Sequence, residues 1–275
     1  YRAPRWRLVH VDVDPRVLAE VPGRLPVRES LAIEADAGLF LQAMLQQGRA
    51  NVGPQRRRFV EECHSRYEAY SSAQPRSEPG YAHPEGVIGS LARALPADAA
   101  IVSDAGNFAT WYHRYYRFRR PGTHFAPVSG SMGYGLPAAI GVAVADRASG
   151  RWGATGRPVV VMAGDGGFLM TASELATAVR LRLPVVALVF NNGLYGTIYA
   201  HQRRLTDDPA RLSVNTLVNP DFAALARSFG AYGERVADNA AFGPALQRAL
   251  QAGGPAVLEL RVNPERLDAL AGSTR

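Results

Sequence analysis

The sequence predicts an α/β protein with a doubly wound, mostly parallel sheet and helices on both faces. From residue 84 onward, short runs of apolar residues alternate with helical patterns. Strands that are apolar on every residue are typical of parallel sheets buried on both faces. Residues 1–48 show the same kinds of element but are too few to bury a core of their own. We therefore expect them to be the C-terminal remnant of a second α/β domain.

In residues 1–48, the pattern predicts two strands and a helix. Residues 6–13 alternate like a strand that ends at Pro15, because proline cannot continue a ladder. Residues 31–33 predict a second strand. Residues 36–47 have apolar positions at helical spacing, with Asp36 as the expected N-cap.

Residues 49–83 are expected to link this remnant to the main domain. Arg56-Arg57-Arg58 begins a polar, helix-like run to Tyr70, and three prolines occur between residues 71 and 84. A run of three arginines could contact phosphate. Because Glu61 and Glu62 follow closely, a solvated helix face is the preferred interpretation.

The main domain is expected to span residues 84–275. Its predicted helices are residues 84–95, 108–118, 133–145, 171–182, 221–229 and 242–252. Its predicted strands are residues 100–102, 158–163, 184–190, 232–236 and 256–262. Thr171 and Glu174 have the spacing of a capping box at a helix start.

Composition excludes several classes of protein. Apolar residues make up 47% and charged residues 20%, which is the balance of a globular protein. The longest apolar run, residues 184–190, is too short to span a bilayer. The single cysteine, Cys63, excludes an internal disulfide and leaves the cytoplasm as the expected compartment.

The positive charge raises the question of a nucleic-acid partner. All 31 basic residues are arginine, giving a net charge of +7. The arginines are spread along the whole chain, which indicates a compositional bias instead. The stretch 111–121 mixes aromatics with arginines, as single-strand binders do, but Trp111, Tyr115 and Phe118 would form one apolar stripe on a helix. We expect a core face or subunit interface there, and neither nucleic acid nor a membrane as a partner.

Two polar loops follow apolar strands of the main domain. Gly164-Asp165-Gly166-Gly167 follows the strand 158–163, and Asn191-Asn192 follows the strand 184–190. In parallel sheets, ligands bind beyond the carboxyl ends of the strands. A strand–helix–strand unit brings both loops to the same edge, about 5 Å apart if the strands pair. A carboxylate and an amide 27 positions apart would thus converge.

The chemistry of these loops favours a metal ion and a diphosphate. Glycines allow close backbone approach, and a helix beginning after Gly167 would offer N–H groups to phosphate. A nicotinamide or flavin Rossmann fingerprint is disfavoured, since Leu169 stands at its last glycine and Asp165 would repel a pyrophosphate. A cation between them removes the repulsion, and oxygen ligands suit Mg²⁺. The expected ligands are Asp165, the Asn192 side-chain oxygen and a backbone carbonyl just beyond it.

The motif GDG, followed by 24 residues and NN, resembles the signature of thiamine diphosphate-dependent enzymes. The segments MGYGLPAAIG, GDGGFLMTASELATAVR and NPDFAALARSFGA are similar to the acetohydroxyacid synthase, benzoylformate decarboxylase and pyruvate oxidase superfamily. The similarity covers residues 84–265 and implies the thiamine diphosphate-binding fold. Residues 1–48 resemble the end of the superfamily's central domain, and its N-terminal pyrimidine-binding domain has no counterpart.

The resemblance also implies a role for individual residues. Asp165 and Asn192 match the Mg²⁺ ligands, with the Leu194 carbonyl as the third. Met132 matches an apolar residue that holds the cofactor bent, and the Gly130 carbonyl matches the group that binds its 4′-amino group. The positions matching the loops around the diphosphate are Gly106, Asn107, Gly164, Gly166 and Gly167.

The activity implied by the resemblance is decarboxylation or carboligation of 2-oxo acids, as in acetolactate synthase. The family's pyrimidine-tuning glutamate belongs to the domain without a counterpart, usually on a neighbouring subunit. We therefore expect a homodimer or homotetramer and little activity from this chain alone. The alternative is a non-catalytic or split-subunit partner that binds the cofactor.

Two departures from acetohydroxyacid synthases leave the substrate open. Those enzymes carry Gln-His-Gln where this chain has Asn107-Phe108-Ala109. They also have a substrate-selecting tryptophan where this chain has His201. His201 would be a catalytic acid–base group or a carboxylate-binding group, or it belongs to an ordinary polar surface loop. The choice between protonation and condensation in the second step stays open, as does a bound flavin.

Overall fold

The computed structural model describes residues 7–24, 30–48, 52–151 and 156–269. The chain divides into two compact units, Tyr1–Ser65 and Arg66–Arg275. The division falls within helix α3 (Pro54–Ser71), which lies in the segment expected to be a linker.

The first unit contains a pair of parallel strands. Strand β1 spans Leu8–Asp12 and β2 spans Ser30–Glu34, and they pair from Leu8 opposite Ser30 to Asp12 opposite Glu34. Both strands agree with the sequence prediction, although the expected start at Trp6 lies outside the described residues.

The described part of the first unit also contains helices. Helix α1 (Pro15–Arg24) lies between the two strands in sequence and was not predicted, because Pro22 and Gly23 are poor helix formers. Helix α2 (Ala37–Gln46) begins after Asp36, whose Oδ1 accepts a hydrogen bond from the Leu39 N–H at 2.9 Å. The N-cap prediction is therefore confirmed. Helix α3 spans Pro54–Ser71.

The second unit is built on a parallel sheet that has six strands among the described residues, in the order β4-β3-β5-β6-β8-β7. The strands are β3 (Ala100–Ser103), β4 (His124–Phe125), β5 (Val159–Gly164), β6 (Val185–Asn191), β7 (Tyr232–Val236) and β8 (Ala256–Arg261). The helices are α4 (Pro84–Ala94), α5 (Ala109–Tyr115), α6 (Gly135–Ser149), α7 (Asp165–Thr171), α8 (Leu175–Arg180), α9 (Gly196–Gln202), α10 (Pro209–Leu212), α11 (Phe222–Ser228) and α12 (Asn239–Leu250). None of the helices in the described part of the chain is long and apolar enough to cross a membrane.

Helices cover both faces of this sheet. Alternate strand residues such as Met162 and Leu188 pack with α4, α5 and α12 on one face. Their neighbours, such as Val161 and Val189, pack with α6, α7, α8 and α11 on the other. Strands β3, β5 and β6 are buried on both faces, which is why their sequences lack polar alternation. The predicted doubly wound parallel fold is confirmed.

The order of strands reverses between β3 and β5. After β3 the chain passes through α5 to β4 on one side of β3, and then through α6 to β5 on its other side. Helices α5 and α6 lie on opposite faces of the sheet. A crevice forms at the carboxyl ends of strands at such a switch point. Strand β4 was not predicted, since it has only two residues.

The predicted single helix over residues 171–182 is wrong. Helix α7 already begins at Asp165, and a 3₁₀ turn (Ala172–Glu174) separates it from α8. The predicted capping box is wrong for the same reason, because Thr171 stands at the end of α7. The Thr171 hydroxyl donates to the Gly133 carbonyl at 3.1 Å, and the Glu174 carboxylate accepts from the Thr177 hydroxyl at 3.1 Å.

The aromatic stripe expected on residues 111–118 is shorter than predicted. Helix α5 ends at Tyr115, and the backbone at Tyr116 is extended. Trp111, Tyr112 and Tyr115 are buried, whereas Phe118 lies beyond the helix and is 37% exposed. The buried aromatics form part of the core.

Candidate functional site

A cleft lies at the carboxyl edge of the sheet, among the loops that follow β3, β5 and β6. The predicted site residues that line it are Gly106, Asn107, Met132, Gly164, Asp165, Gly166, Gly167, Asn192 and Leu194. Gly130 and His201 are the predicted site residues that do not line it. The cleft thus occupies the switch point of the sheet.

The register of two neighbouring strands brings the expected metal ligands together. Strands β5 and β6 pair in parallel, and the last pair places Gly164 opposite Phe190. Asp165 and Asn191 therefore leave the sheet at the same level, and Asn192 follows directly. The two strands are neighbours, which meets the condition stated for the two loops to converge.

Asp165 is buried, at 2% exposure, and its carboxylate is held by three hydrogen bonds. Its Oδ1 accepts from the Gly166 N–H at 2.9 Å. Its Oδ2 accepts from the Gly193 N–H at 2.8 Å and from the Asn219 side-chain amide at 2.8 Å. Oδ2 thus accepts two of these bonds and Oδ1 accepts one, so Oδ1 is the oxygen with more room for a further partner.

Burial raises the pKa of the Asp165 carboxyl, although hydrogen bonds from Gly166, Asn219, Gly193 and the Asn192 backbone oppose this shift. Among the described residues, Asp165 forms no ion pair with an arginine. The negative charge is therefore stabilised by neutral donors alone, and a cation in the cleft would stabilise it further.

The two other expected ligands lie in the loop between β6 and α9. Asn192 Oδ1 accepts from the Leu194 N–H at 3.2 Å. Leu194 forms an isolated antiparallel bridge with Thr216, which fixes its backbone. One carboxylate, one amide oxygen and one backbone carbonyl form an oxygen-only set, which fits Mg²⁺. No group of three or more His, Cys, Asp or Glu side chains placed to hold a metal occurs among the described residues.

The glycines after Asp165 are arranged differently from the prediction. Helix α7 begins at Asp165, not after Gly167, and the Gly166 N–H is used by the Asp165 carboxylate. The Tyr195 ring lies directly over Gly166, where an added Cβ would come within 2.5 Å of the ring. A side chain at this position would displace Tyr195 from the wall of the cleft.

The loop after β3 is tied to helix α9 across the cleft. The Thr197 hydroxyl donates to Asn107 Oδ1 at 3.0 Å. Phe108 stacks on Phe190 with ring centroids 5.5 Å apart. These contacts hold the segment Gly106–Asn107 beside the loop that carries Asn192.

The remaining predicted site residues differ in their position relative to the cleft. Met132 lines it and is 36% exposed. Gly130 belongs to the same loop as Met132, and its N–H donates to the Pro127 carbonyl at 3.4 Å. His201 is exposed on the last turn of α9, not in a polar loop as expected.

Sequence reasoning missed Asp104, which directly follows strand β3. The Asp104 carboxylate accepts from the Ala105 N–H at 2.7 Å, from the Gly133 N–H at 2.9 and 3.0 Å, and from the Gly135 N–H at 3.3 Å. Gly133 has a φ of +83°, a conformation that favours glycine. Asp104 thereby fastens the loop that carries Met132 to the end of β3. The available signal was an acidic residue at the end of an apolar strand, as at Asp165.

Burial also raises the pKa of Asp104, opposed by the surrounding backbone N–H groups. Its exposure is 2%, and it does not line the cleft. The side of Gly167 that lacks a Cβ faces this carboxylate, at 3.2 Å for an added Cβ. Asp104 therefore contacts the loop that carries Met132 and lies against the first turn of α7.

Comparisons with known proteins agree with this geometry. Residues 104–260 match the family described as thiamine pyrophosphate enzyme, C-terminal TPP binding domain. The chain is 32% identical over 263 residues to the acetolactate synthase large subunit of Parasynechococcus marenigrum, covering 94% of this chain and 40% of that protein. It is 31% identical over 255 residues to the benzoylformate decarboxylase of Pseudomonas aeruginosa, covering 92% of this chain and 43% of that protein.

The fold is also found in a solved structure, that of benzoylformate decarboxylase from Polynucleobacter necessarius. The TM-score is 0.72 at 22% identity, over 95% of this chain and 45% of that one. The chain thus spans less than half the length of each of these relatives. Because the family match covers more than half of the chain and includes both loops of the cleft, the chain belongs to the thiamine pyrophosphate-dependent enzymes and contains their C-terminal cofactor-binding domain.

Proposed function

We propose that this chain is the diphosphate- and Mg²⁺-binding portion of an enzyme that decarboxylates or ligates 2-oxo acids, similar to acetolactate synthase. The observation that carries the proposal is the Asp165 carboxylate, which is buried at the cleft without an arginine partner among the described residues. A buried charge is costly unless a counter-charge or hydrogen bonds compensate it. A divalent cation between Asp165 and a diphosphate would supply that charge.

The proposed ligands of the cation are Asp165 through Oδ1, Asn192 through its side-chain oxygen, and the Leu194 carbonyl. The glycine-rich segments 164–167 and 106–107 would hold the diphosphate through their backbones, and Met132 would contact the apolar part of the cofactor. The bound cofactor supplies the electron sink for decarboxylation, and the protein supplies orientation and electrostatics. The preference between decarboxylation and carboligation is not fixed by these residues.

We further propose that turnover requires a group from another domain or subunit, in a homodimer or homotetramer. The titratable side chains that line the cleft within the described residues are Asp165, Tyr195 and Arg266. Asp165 is assigned to the cation, and neither a glutamate nor a histidine is among these lining residues. A proton donor or acceptor for the reaction would therefore come from outside this cleft.

Calorimetric titration of the chain with thiamine diphosphate tests the first proposal. We expect weak binding that occurs with Mg²⁺ and disappears in EDTA, because the carboxylate repels the diphosphate without a cation. Equal affinity in Mg²⁺ and in EDTA would contradict the assigned ligands.

An assay of pyruvate decarboxylation by the chain alone tests the second proposal. We expect no turnover above the uncatalysed rate, even with saturating Mg²⁺ and thiamine diphosphate. Sustained turnover by the isolated chain would show that the cleft already holds every group that the reaction needs.

A further inference from the structure

Asn219 contacts the Asp165 carboxylate from the side remote from the Gly166 N–H. It lies in the segment before α11, and its Nδ2 donates to Asp165 Oδ2 at 2.8 Å and to Asn191 Oδ1 at 2.9 Å. Both hydrogens of this amide are therefore used, and both acceptors belong to the strand ends that form the site.

The contact continues to a second buried carboxylate. The Asn191 amide donates to Glu259 Oε1 at 2.9 Å. Glu259 is 3% exposed, and its Oε2 accepts from the Phe222 N–H at 3.1 Å and from Arg235 Nε at 3.2 Å. Two amides thus connect the carboxylates of Asp165 and Glu259.

The two carboxylates at the ends of this network constrain the orientation of the Asn191 and Asn219 amides. An ionised carboxylate only accepts hydrogen bonds, so Asn191 must present Nδ2 to Glu259 and Oδ1 to Asn219. Asn219 must then present Nδ2 to both Asn191 and Asp165. Flipping either amide would place acceptor against acceptor, so the network favours this orientation, in which Asn219 Oδ1 is buried without a hydrogen-bond partner among the described residues.

We propose that Asn219 is a positioning residue for the metal ligand Asp165. It donates the second hydrogen bond to Oδ2, which leaves Oδ1, with one such bond, as the oxygen presented to a cation. Its own orientation is set through Asn191 by Glu259 on β8 and by Arg235 on β7. This inference rests on the proposed function, since it assigns to Asn219 the affinity of that same cation site.

The test is a titration of the 275-residue chain with MnCl₂ in saturating thiamine diphosphate, following free Mn²⁺ by electron paramagnetic resonance. Asn219→Leu removes both donated bonds while keeping a side chain branched at Cγ, and we expect it to weaken Mn²⁺ binding by about 10- to 100-fold, as is usual when the partner of a metal ligand is removed. Glu259→Gln places an amide against the Phe222 N–H and Arg235, and we expect a smaller weakening in the same direction.

Asn215→Leu is the matched control, because Asn215 is a buried amide of the same segment that donates to the Leu212 carbonyl and to Gln202 and does not contact Asp165. We expect its Mn²⁺ affinity to stay within about 2-fold of the wild type, whatever its thermal stability. At saturating Mn²⁺, the thiamine diphosphate affinity of Asn219→Leu should return to the wild-type value. If Asn219→Leu does not fold, Asn219→Ser is titrated instead, with the same direction expected.

The outcomes separate the two proposals. A wild-type chain that binds no Mn²⁺ overturns the proposed function, and this inference with it. A wild-type chain that binds Mn²⁺ beside an Asn219 variant of equal affinity overturns the inference alone. Equal weakening in the Asn219 and Asn215 variants also overturns it, because the effect would then come from local folding.

Discussion

The carboxyl ends of β3 and β5 are neighbours in the sheet, and each is followed by an aspartate that is 2% exposed. Asp104 accepts from three backbone N–H groups, those of Ala105, Gly133 and Gly135, and lies outside the cleft. Asp165 accepts from two backbone N–H groups and the Asn219 amide, and it lines the cleft. Neither burial nor the number of donors distinguishes them, but their position relative to the cleft does. A carboxylate enclosed by the loops that it binds holds those loops together, whereas one that lines the cleft can bind a cation.

Asp165→Asn should give the largest effect. The variant keeps the shape of the side chain but loses the only carboxylate that lines the cleft within the described residues. We expect Mg²⁺-dependent affinity for thiamine diphosphate to fall at least about 100-fold, or about 2.7 kcal/mol, measured by calorimetry. Asp104→Asn is the matched control, and an equal loss of affinity in both variants would remove the distinction between the two aspartates.

Asp104→Asn should mainly affect the stability of the fold, and we expect the free energy of unfolding to fall by about 1–3 kcal/mol. The substituted amide would place an NH₂ group against the N–H groups of Gly133 or Ala105, which now meet an acceptor. Urea unfolding at pH 7, followed by circular dichroism, measures the change. An unfolding free energy equal to that of the wild type would show that Asp104 does not fasten the Met132 loop.

The smallest effect should be the change with pH in the stability that Asp104→Asn loses. Burial raises the pKa of Asp104 above its usual 3.8, so the folded protein keeps this proton to a higher pH than the unfolded chain. The contribution of Asp104 to stability therefore falls as pH rises above about 4. We expect the wild type to exceed Asp104→Asn by more at pH 4.5 than at pH 7, by urea unfolding at both values. A margin that grows with pH would show that the N–H donors outweigh burial.

The central strands of the main sheet could be predicted because β3, β5 and β6 are short apolar runs between helical patterns. The loops of Asp165 and Asn192 could be predicted for a related reason, since polar residues that end two neighbouring strands must meet. The start of helix α7 could not be predicted, because the helix begins within the glycine-rich loop itself. Glycines normally argue against a helix, and the close approach of Tyr195 to Gly166 is visible only in three dimensions.

Asp104 and Asn219 were missed because their partners are distant in sequence. Asp104 binds backbone N–H groups 29 and 31 positions away, and backbone groups carry no residue-type signal. Asn219 reaches Asp165 across 54 positions from a segment without regular structure. The pattern of polar residues at the ends of apolar strands would have indicated Asp104, whereas no pattern of spacing indicates Asn219.

The pairing of β5 with β6 makes the spacing of the two expected ligands independent of the chain segment that joins them. Gly164 lies opposite Phe190 because of ladder hydrogen bonds, so the spacing of Asp165 and Asn192 does not depend on the length of the crossover between the strands. Added residues in the turn after α8 would change the outer surface and leave the ligand pair in place. A chain broken in that turn would keep the same pair, because the sheet alone sets the distance.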